Sequence, residues 1–446
     1  MNFVQPFLTL PAHQKCNIFW FRRDLRLEDN HGLWECLRAG LPVLPLFIFD
    51  TEILGKLENP KDRRVQFIHQ EILRLKTELR AAGSDLLVLH GNPHEIWPTL
   101  LASCQANAIY TNRDYEPAAI QRDDTTAKTA AGLGVAFHSF KDQVIFETHE
   151  VVKDDGTPYT VYTPYSKKWK SVLQESQLEP YNSAGLKAEF ITGVQFPVPT
   201  LEEMGFQATA FVYPQARLDK NTLAHYASDR DYPWKPGTTR VSLALRFGTL
   251  SVRELYRIGF QNSEKWVNEL IWREFYMQIL FHFPYVVGSC FRPEYNRIVW
   301  RNNEAEFEAW CNGNTGYPIV DAGMRELKQT GYMHNRVRMI TASFLTKHLL
   351  IDWRWGEAWF AQHLLDFELS SNNGGWQWAA GCGVDAAPYF RIFNPYLQTL
   401  KFDPNLTYIR RWVAEFDSLK YSKPLVDHDF ARKRCLQVYQ AALQKP

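Results

Sequence analysis

The chain has 446 residues with 50 Lys and Arg against 49 Asp and Glu, so its formal charge is +1 when the 13 His are neutral. This length predicts two or three domains with ample core, and the balanced charge excludes a uniformly basic nucleic-acid coat, although one basic face remains compatible with it. Seven Cys without a CxxC pair, no opening signal peptide and no long apolar span lead us to expect a soluble, cytoplasmic protein without a disulfide framework, a metal site or a membrane contact.

Short apolar runs alternate with helical patterns in the first third of the chain. The predicted strands lie at 17–21, 43–49, 86–89, 108–110 and 135–140. Helical patterns at 64–82 and 94–105 separate some of them, which predicts a doubly wound parallel sheet with helices on both faces over residues 14–145. Because no GxGxxG or GKS/GKT loop opens a helix here, a conventional NAD or ATP site is not indicated.

Proline and glycine recur from about residue 148 onward, and the alternation stops there. Aromatic residues such as Tyr165 and Trp169 persist in this stretch. We therefore expect a long, ordered connector over 146–212 rather than a mobile linker.

Helical periodicity dominates from residue 218 onward, and strand signals disappear. The predicted helices include 266–281, 315–330, 335–350 and 356–364. The fold class is thus predicted to be α/β plus all-α, with the all-helical domain at 213–446.

Small hydroxyl residues cluster in the run GTTRVS at 237–242. Such residues at the start of a helix can bind phosphate through backbone N–H and side-chain O–H groups. Ordinary helix capping is the alternative interpretation, and it explains most such runs.

The segment WVNELIWREFY at 266–276 places Glu269, Trp272 and Arg273 on one helix face. A carboxylate beside an indole can bond a base edge while the ring packs on the base. An amphipathic helix with an internal Glu–Arg pair is the alternative interpretation. On a later predicted helix, Asn335 and Met339 share a face in the same way.

A glycine pair stands between an amide pair and two tryptophans in the stretch NNGGWQW, which contains Asn372, Trp376 and Trp378. Paired glycines let the backbone approach a flat ligand closely, and the Asn amide keeps its charge state at any pH. The segment 371–395 closely resembles the flavin loop of class I photolyases in the cryptochrome/photolyase family. The resemblance extends from about residue 16 to 416.

The resemblance implies an N-terminal antenna domain and a C-terminal FAD-binding catalytic domain. It implies a deoxyribodipyrimidine photolyase, a carbon–carbon lyase that repairs cyclobutane pyrimidine dimers by electron transfer from excited reduced FAD to a flipped-out dimer. A blue-light-sensing cryptochrome and a (6-4) photoproduct photolyase are the alternatives. Asn372, Glu269 and Met339 favour the enzyme, and the His334-Asn335-Arg336 run lacks the second His of (6-4) relatives. The expected partner is UV-damaged DNA containing pyrimidine dimers, bound by a monomer.

The resemblance also implies roles for individual residues. The cofactor-binding set is Tyr226, Thr238, Thr239, Arg240, Val241, Ser242, Trp266, Arg273, Asn335, Arg338, Asp366, Phe367, Glu368 and Asn372. The catalytic set is the electron-hopping chain Trp376, Trp353 and Trp300, together with Asn372 and Glu269. The DNA-binding set is Arg230, Glu269, Trp272, Asn335, Arg336, Met339, Trp378, Arg391 and Gln398, with Lys401 on the same rim. Arg338 and Asp366 are expected to pair beside the flavin ring.

Some positions depart from the family pattern. Glu368 stands where Asp is usual, and Tyr332 stands where many members carry Trp. Val286 and Val287 occupy the region in which the folate-antenna subtype has a Cys–Lys pair, whereas Glu116 matches an antenna-domain acid. A second antenna chromophore, whether a deazaflavin, a flavin nucleotide or a folate, therefore stays open at this stage.

Overall fold

The structure is a computed structural model that describes residues 15–444, without the side chains of 187 and 188. The outer ends of the two predicted domains, residues 14 and 446, lie outside this range. A parallel sheet contains the strands Lys15–Phe21 (β1), Val43–Asp50 (β2), Leu87–Gly91 (β3), Gln105–Asn112 (β4) and Ala136–Phe140 (β5). Its order is β3-β2-β1-β4-β5, so the direction of winding reverses at β1. All five predicted strands are confirmed within a few residues.

Helices make up most of the remaining chain. The α-helices are His31–Arg38 (α1), Thr51–Leu54 (α2), Arg63–Ala81 (α3), Pro93–Ser103 (α4), Pro117–Gly132 (α5), Tyr162–Val172 (α6), Lys220–Ala224 (α7), Tyr226–Asp229 (α8), Ser242–Phe247 (α9), Val252–Asn262 (α10), Glu264–His282 (α11), Glu304–Cys311 (α12), Pro318–Thr330 (α13), Asn335–Ser343 (α14), Trp353–His363 (α15), Leu369–Ala380 (α16), Pro395–Phe402 (α17), Thr407–Trp412 (α18) and His428–Leu443 (α19). Short 3₁₀ turns lie at Glu175–Leu178, Ala184–Glu189, Pro284–Val287 and Pro293–Arg297, and a π-helical turn at Phe344–His348.

Both faces of the sheet are covered by helices. The ring of Trp20 contacts that of Trp97 on α4, with 5.2 Å between centroids. The next residue towards the N-terminus, Phe19, approaches Gly32 on α1, where an added Cβ would lie 3.2 Å from the Phe19 ring. Because successive strand residues point to opposite faces, α1 and α4 lie on opposite sides, which confirms the doubly wound arrangement.

The chain forms two compact units that are not contiguous in sequence. Among the described residues, the first contains those from 15 to 147, 173–216 and 241–258; the second contains 148–172, 217–240 and those from 259 to 444. The predicted boundaries at 145/146 and 212/213 differ from this division, and the predicted connector is shared between the units.

Specific contacts explain why the connector divides. Ile191 N donates to Val43 O (2.9 Å), which attaches this part of the connector to β2 in the first unit. Trp169 Nε1 donates to Glu274 Oε1 on α11 (2.6 Å), which attaches α6 to the second unit. Arg253, predicted to lie in the helical domain, is buried in the first unit, where it pairs with Asp29 and Asp142 (both 2.8 Å).

The second unit has a helical core around α13, α14, α15 and α16. The helix predicted at 335–350 ends earlier, because α14 stops at Ser343 and continues as the π-helical turn. The next helix begins at Trp353, where the Asp352 side chain accepts a bond from Arg354 N (3.0 Å). No strand occurs between 218 and 444, which agrees with the predicted α/β plus all-α fold class.

Within residues 15–444, every helix is too short or too polar to cross a bilayer. The same part of the chain holds no cluster of three or more His, Cys, Asp or Glu side chains suited to a metal ion.

Candidate functional site

The predicted cofactor and DNA residues lie on several helices and loops of the second unit, apart from Val241 and Ser242. These two belong to the first unit, where Ser242 begins α9. Thr239 is buried, and its Oγ1 accepts a hydrogen bond from Trp266 Nε1 on α11 (3.0 Å). Arg240 has a positive φ of 52°, and its guanidinium lies 5.0 Å from the centre of the Tyr332 ring. The second unit thus joins Thr239 to Trp266, which belongs to the predicted cofactor set, and Arg240 to Tyr332, a position that departs from the family pattern.

An ion pair joins two residues that were both predicted to face DNA. Arg230 Nη1 donates to Glu269 Oε1 on α11, and the Glu269 side chain remains one-third exposed. The Arg230 guanidinium also lies 5.4 Å from the ring centre of Tyr226. Glu269 therefore presents a carboxylate that the Arg230 guanidinium orients.

Trp272 lies one turn after Glu269 and is covered on one ring face. Tyr162 from α6 stacks on it with 3.7 Å between centroids and a 7° interplanar angle. The Tyr162 hydroxyl donates to Asn268 O (2.9 Å), which fixes the ring in place. Sequence reasoning did not identify Tyr162, because α6 lies about a hundred residues before α11 and only tertiary packing brings the rings together.

Two ion pairs of the predicted cofactor set are present. Arg338 Nη2 donates to both carboxylate oxygens of Asp366 (3.0 and 2.9 Å), and Arg273 lies 3.3 Å from Glu368. Burial acts against the charge of Arg338, but the Asp366 carboxylate raises the pKa of Arg338 above its ordinary value. The extra methylene of Glu368 does not prevent pairing with Arg273. Phe367, between the two acids, is half-buried against the helical core.

Around α14 the predicted DNA contacts are exposed or paired. Asn335 is exposed at the first position of the helix. Arg336 donates to Asp231 Oδ1 (2.8 Å), and its Nη1 reaches Met339 Sδ at 3.7 Å. Arg336 thus has an acidic partner in the DNA-free chain, which a phosphate would have to replace.

Asn372 has a partner that sequence reasoning missed. Its Nδ2 donates to Glu357 Oε1 (2.8 Å) and to Glu357 O (3.1 Å), both on α15. The Asn372 carbonyl oxygen is thereby left as an acceptor for another group. Burial raises the pKa of Glu357, and the hydrogen bond from Asn372 opposes that shift. Glu357 is an acid within the aromatic run at 353–359, and this was the sequence signal from which the contact could have been predicted.

The three predicted electron-hopping tryptophans belong to one core. Trp353 and Trp376 are fully buried, and the half-buried Trp300 packs on the same cluster. An added Cβ at Gly356 would lie 2.1 Å from the Trp376 ring. Because Gly356 is one turn after Trp353, the Trp376 ring packs on α15 one helical turn from Trp353. Trp300 contacts Tyr439 at 6.1 Å between ring centres.

The predicted DNA rim contains polar and apolar side chains. Trp378 is half-buried beside Phe393, whereas Arg391 and Lys401 are exposed. Gln398 is half-buried on α17, and its Oε1 has no hydrogen-bond partner within residues 15–444.

The residues around α16 fit a flat, hydrogen-bonding cofactor. Gly375 is one turn after Asn372, and a Cβ added there would meet no atom within 4 Å. Gly375 is itself exposed to solvent, and the same helix carries the Asn372 carbonyl oxygen and the buried Ser370 Oγ, which has no partner in the described chain. A flavin is a flat ring system edged with donors and acceptors, so these polar atoms on a helix with an accessible glycine suit it.

In the first unit, Glu116 accepts hydrogen bonds from Arg23 (3.0 Å) and Arg246 (2.9 Å). A separate cleft of about 510 Å³ lies beside the carboxyl ends of β2 and β3. Its lining includes Thr51, His90 and Phe206.

Family models match both parts of the chain. Residues 17–183 match a model described as DNA photolyase, and residues 266–420 match the FAD binding domain of DNA photolyase. A deoxyribodipyrimidine photo-lyase from Synechococcus sp. is 36% identical over 475 aligned positions, covering 96% of this chain and 98% of that protein. The FAD-binding domain predicted from the sequence is confirmed by the second match.

Solved structures of photolyases and of a cryptochrome are also similar to this chain. A bacterial class III photolyase from Agrobacterium tumefaciens has a TM-score of 0.86 at 33% identity, covering 98% of this chain and 99% of that one. An archaeal photolyase from Sulfolobus tokodaii, solved with two FAD molecules, has a TM-score of 0.82 at 35% identity, covering 96% and 100%. A cryptochrome from Synechocystis sp. PCC6803 shares the fold, with a TM-score of 0.83 at 24% identity over 96% and 100%.

Proposed function

The chain belongs to the cryptochrome/photolyase family, and on that premise we propose that it repairs cyclobutane pyrimidine dimers in DNA under blue light. The observation that carries the proposal is the pairing of the partly exposed Glu269 with Arg230, one helical turn from the stacked indole of Trp272. A fixed carboxylate beside an aromatic face suits a base that has left the duplex stack.

Bound FAD would supply the excited electron that splits the dimer. Asn372 and the Arg338–Asp366 pair would hold the ring system, with Arg273, Glu368 and Trp266 around it. The Asn372 amide offers a neutral acceptor there, because its NH₂ group is already bonded to Glu357. An amide in this position can bind the cofactor edge without supplying an acidic proton.

The hydrogen bonds of Glu269 would recognise the lesion. An ionised carboxylate only accepts hydrogen bonds, so it suits the N–H groups on a pyrimidine edge. Arg230 orients the carboxylate through their ion pair. Arg336, Arg391 and Lys401 would contact phosphates, which gives affinity without sequence preference.

We further propose a second, light-harvesting chromophore in the first unit, following the relative solved with two FAD molecules. The 510 Å³ cleft beside β2 and β3 is within the usual volume range of small-molecule sites. Acid release of bound chromophores would identify a deazaflavin, a flavin nucleotide or a folate.

A monomer acting in the cytoplasm completes the proposal, and light scattering would test the oligomeric state.

Glu269→Gln tests the proposed lesion contact. The amide keeps the shape but loses the charge, and a charge-assisted hydrogen bond contributes about 1.5–3 kcal/mol. Repair at limiting DNA should fall roughly tenfold or more, while binding to undamaged DNA changes little. Glu264→Gln is the matched control, since Glu264 lies on the same helix and is paired at the surface with Lys170. Equal losses in both variants, or equal weakening on damaged and undamaged DNA, would reject the assignment of Glu269.

A further inference from the structure

The segment that carries α6, residues 148–172, is attached along α11 by side-chain hydrogen bonds. Trp169 Nε1 donates to Glu274 Oε1 (2.6 Å), and both side chains are buried. One turn later on α11, Gln278 Nε2 donates to Tyr159 O (3.4 Å). The segment therefore has a defined position against the helix that carries the proposed lesion contacts.

Tyr162 is the residue of this segment that meets the proposed lesion site. Its ring lies parallel to the Trp272 indole, with 3.7 Å between centroids and 7° between planes. Its hydroxyl donates to Asn268 O (2.9 Å), and in a regular helix this carbonyl also accepts the backbone N–H of Trp272. One side chain thus covers a face of the Trp272 ring and is anchored one turn before it.

Two further rings restrict the Trp272 indole. Phe275 meets it edge-on, at 5.6 Å and 82°, and Tyr276 lies at 5.5 Å with a tilt of 34°. Tyr276 packs directly on α16, since an added Cβ at Gly374 would lie 2.3 Å from its ring. Trp272 still keeps part of its surface exposed. It is therefore an accessible indole with one ring face covered, not a core residue.

We propose that Tyr162 is a positioning residue for lesion recognition, which holds the Trp272 indole so that an extruded base packs on the surface left exposed. The inference rests on the function proposed above and adds a residue that acts through Trp272 without touching the DNA. An indole that is already fixed loses little freedom when a base packs on it, whereas an indole free to change rotamer loses more and binds more weakly. The stack should therefore contribute to affinity for damaged DNA.

The first test is affinity, in darkness, for a duplex with one cyclobutane thymine dimer and for the same duplex without it. Tyr162→Leu should bind the damaged duplex about tenfold more weakly and the undamaged duplex as the wild type does. Tyr162→Phe keeps the ring but loses the bond to Asn268 O, so its affinity should stay within about threefold of the wild type. Tyr159→Leu is the matched control, because Tyr159 lies on the same segment and contacts the Tyr165 ring edge-on (6.4 Å); it should bind both duplexes normally.

These affinities separate a positioning role from a merely structural one. In light, with the flavin reduced, Tyr162→Leu should raise KM for damaged DNA and leave kcat unchanged. Wild-type affinity of Tyr162→Leu for the damaged duplex would overturn the proposal. So would a loss shared by the undamaged duplex or by Tyr159→Leu, because that loss would come from displacement of the whole segment. A loss in Tyr162→Phe as large as that in Tyr162→Leu would overturn the role of the ring stack.

A measurement without DNA or light separates this inference from the repair function. Protein labelled with fluorotryptophan gives a ¹⁹F signal for each of the 15 Trp, and Trp272→Phe identifies the signal of Trp272. That signal should be one sharp line in the wild type and in Tyr162→Phe, but broadened or split in Tyr162→Leu, because the indole gains rotamers. An equally sharp line in Tyr162→Leu overturns the positioning role even if the chain repairs DNA. The expected lines in a protein that repairs nothing would reject the repair function and support the positioning of Trp272.

Discussion

Asp366→Asn is the change whose effect the structure defines best. The Asp366 side chain is 6% exposed and forms two hydrogen bonds with Arg338, whose side chain is 27% exposed. Asn can accept only one of them and carries no charge. Arg338 keeps its bond to Met333 O (2.8 Å), so its cation is not left wholly unpartnered. We expect a loss of about 2–3 kcal/mol in the free energy of unfolding, below the range for an entirely buried pair.

The assay is urea unfolding of the flavin-free protein, followed by flavin titration. The control is Asp417→Asn, which neutralises an exposed partner of Arg410 and should leave stability unchanged. If Asp366 holds Arg338 against the flavin, affinity for FAD should also fall about tenfold, or ~1.4 kcal/mol. Unfolding curves of Asp366→Asn that match those of the control would refute the energetic argument. Unchanged FAD affinity would refute the placement of the pair at the cofactor.

Three further predictions concern electron supply, DNA affinity and pH. Trp376→Phe should slow photoreduction, measured by flavin absorbance, at least tenfold but leave repair by chemically reduced protein intact. Equal photoreduction rates in variant and wild type would reject the electron-hopping role of the tryptophans. Arg336→Ala should weaken binding to damaged and to undamaged DNA equally, and it should lower the steepness of the plot of log K against log salt by about 1. A loss of affinity for damaged DNA alone would contradict the phosphate role. Burial lowers the pKa of Lys347 from 10.5 to about 8, so the unfolded state binds more protons in that window and stability should rise with pH across it. Lys347→Met should flatten that rise by up to about 3 kcal/mol, measured by urea unfolding at several pH values; parallel curves would contradict the shift.

Local sequence signals predicted the elements better than their tertiary partners. Strand positions followed from short apolar runs, because a buried parallel strand needs a continuous apolar sequence. The connector boundaries differed because Trp169 and Ile191 attach to different units through long-range contacts that no local pattern encodes.

The candidate site shows the same limit. The Arg338–Asp366 pair was expected from the family resemblance, and it forms in the structure. The Arg230–Glu269 pair was not expected, because the resemblance assigned both residues to DNA contact and did not indicate that they contact each other. Glu357 was missed because its significance comes from burial beside Asn372, which sequence spacing does not reveal.

The most direct test of the central claim is repair under light and in darkness. UV-irradiated DNA containing cyclobutane dimers would be mixed with reduced, FAD-loaded protein, and dimers counted after blue light or an equal time in the dark. A dimer-repairing photolyase should remove dimers in light only. Dimers that persist in light with a fully reduced cofactor would contradict it and favour a light-sensing role.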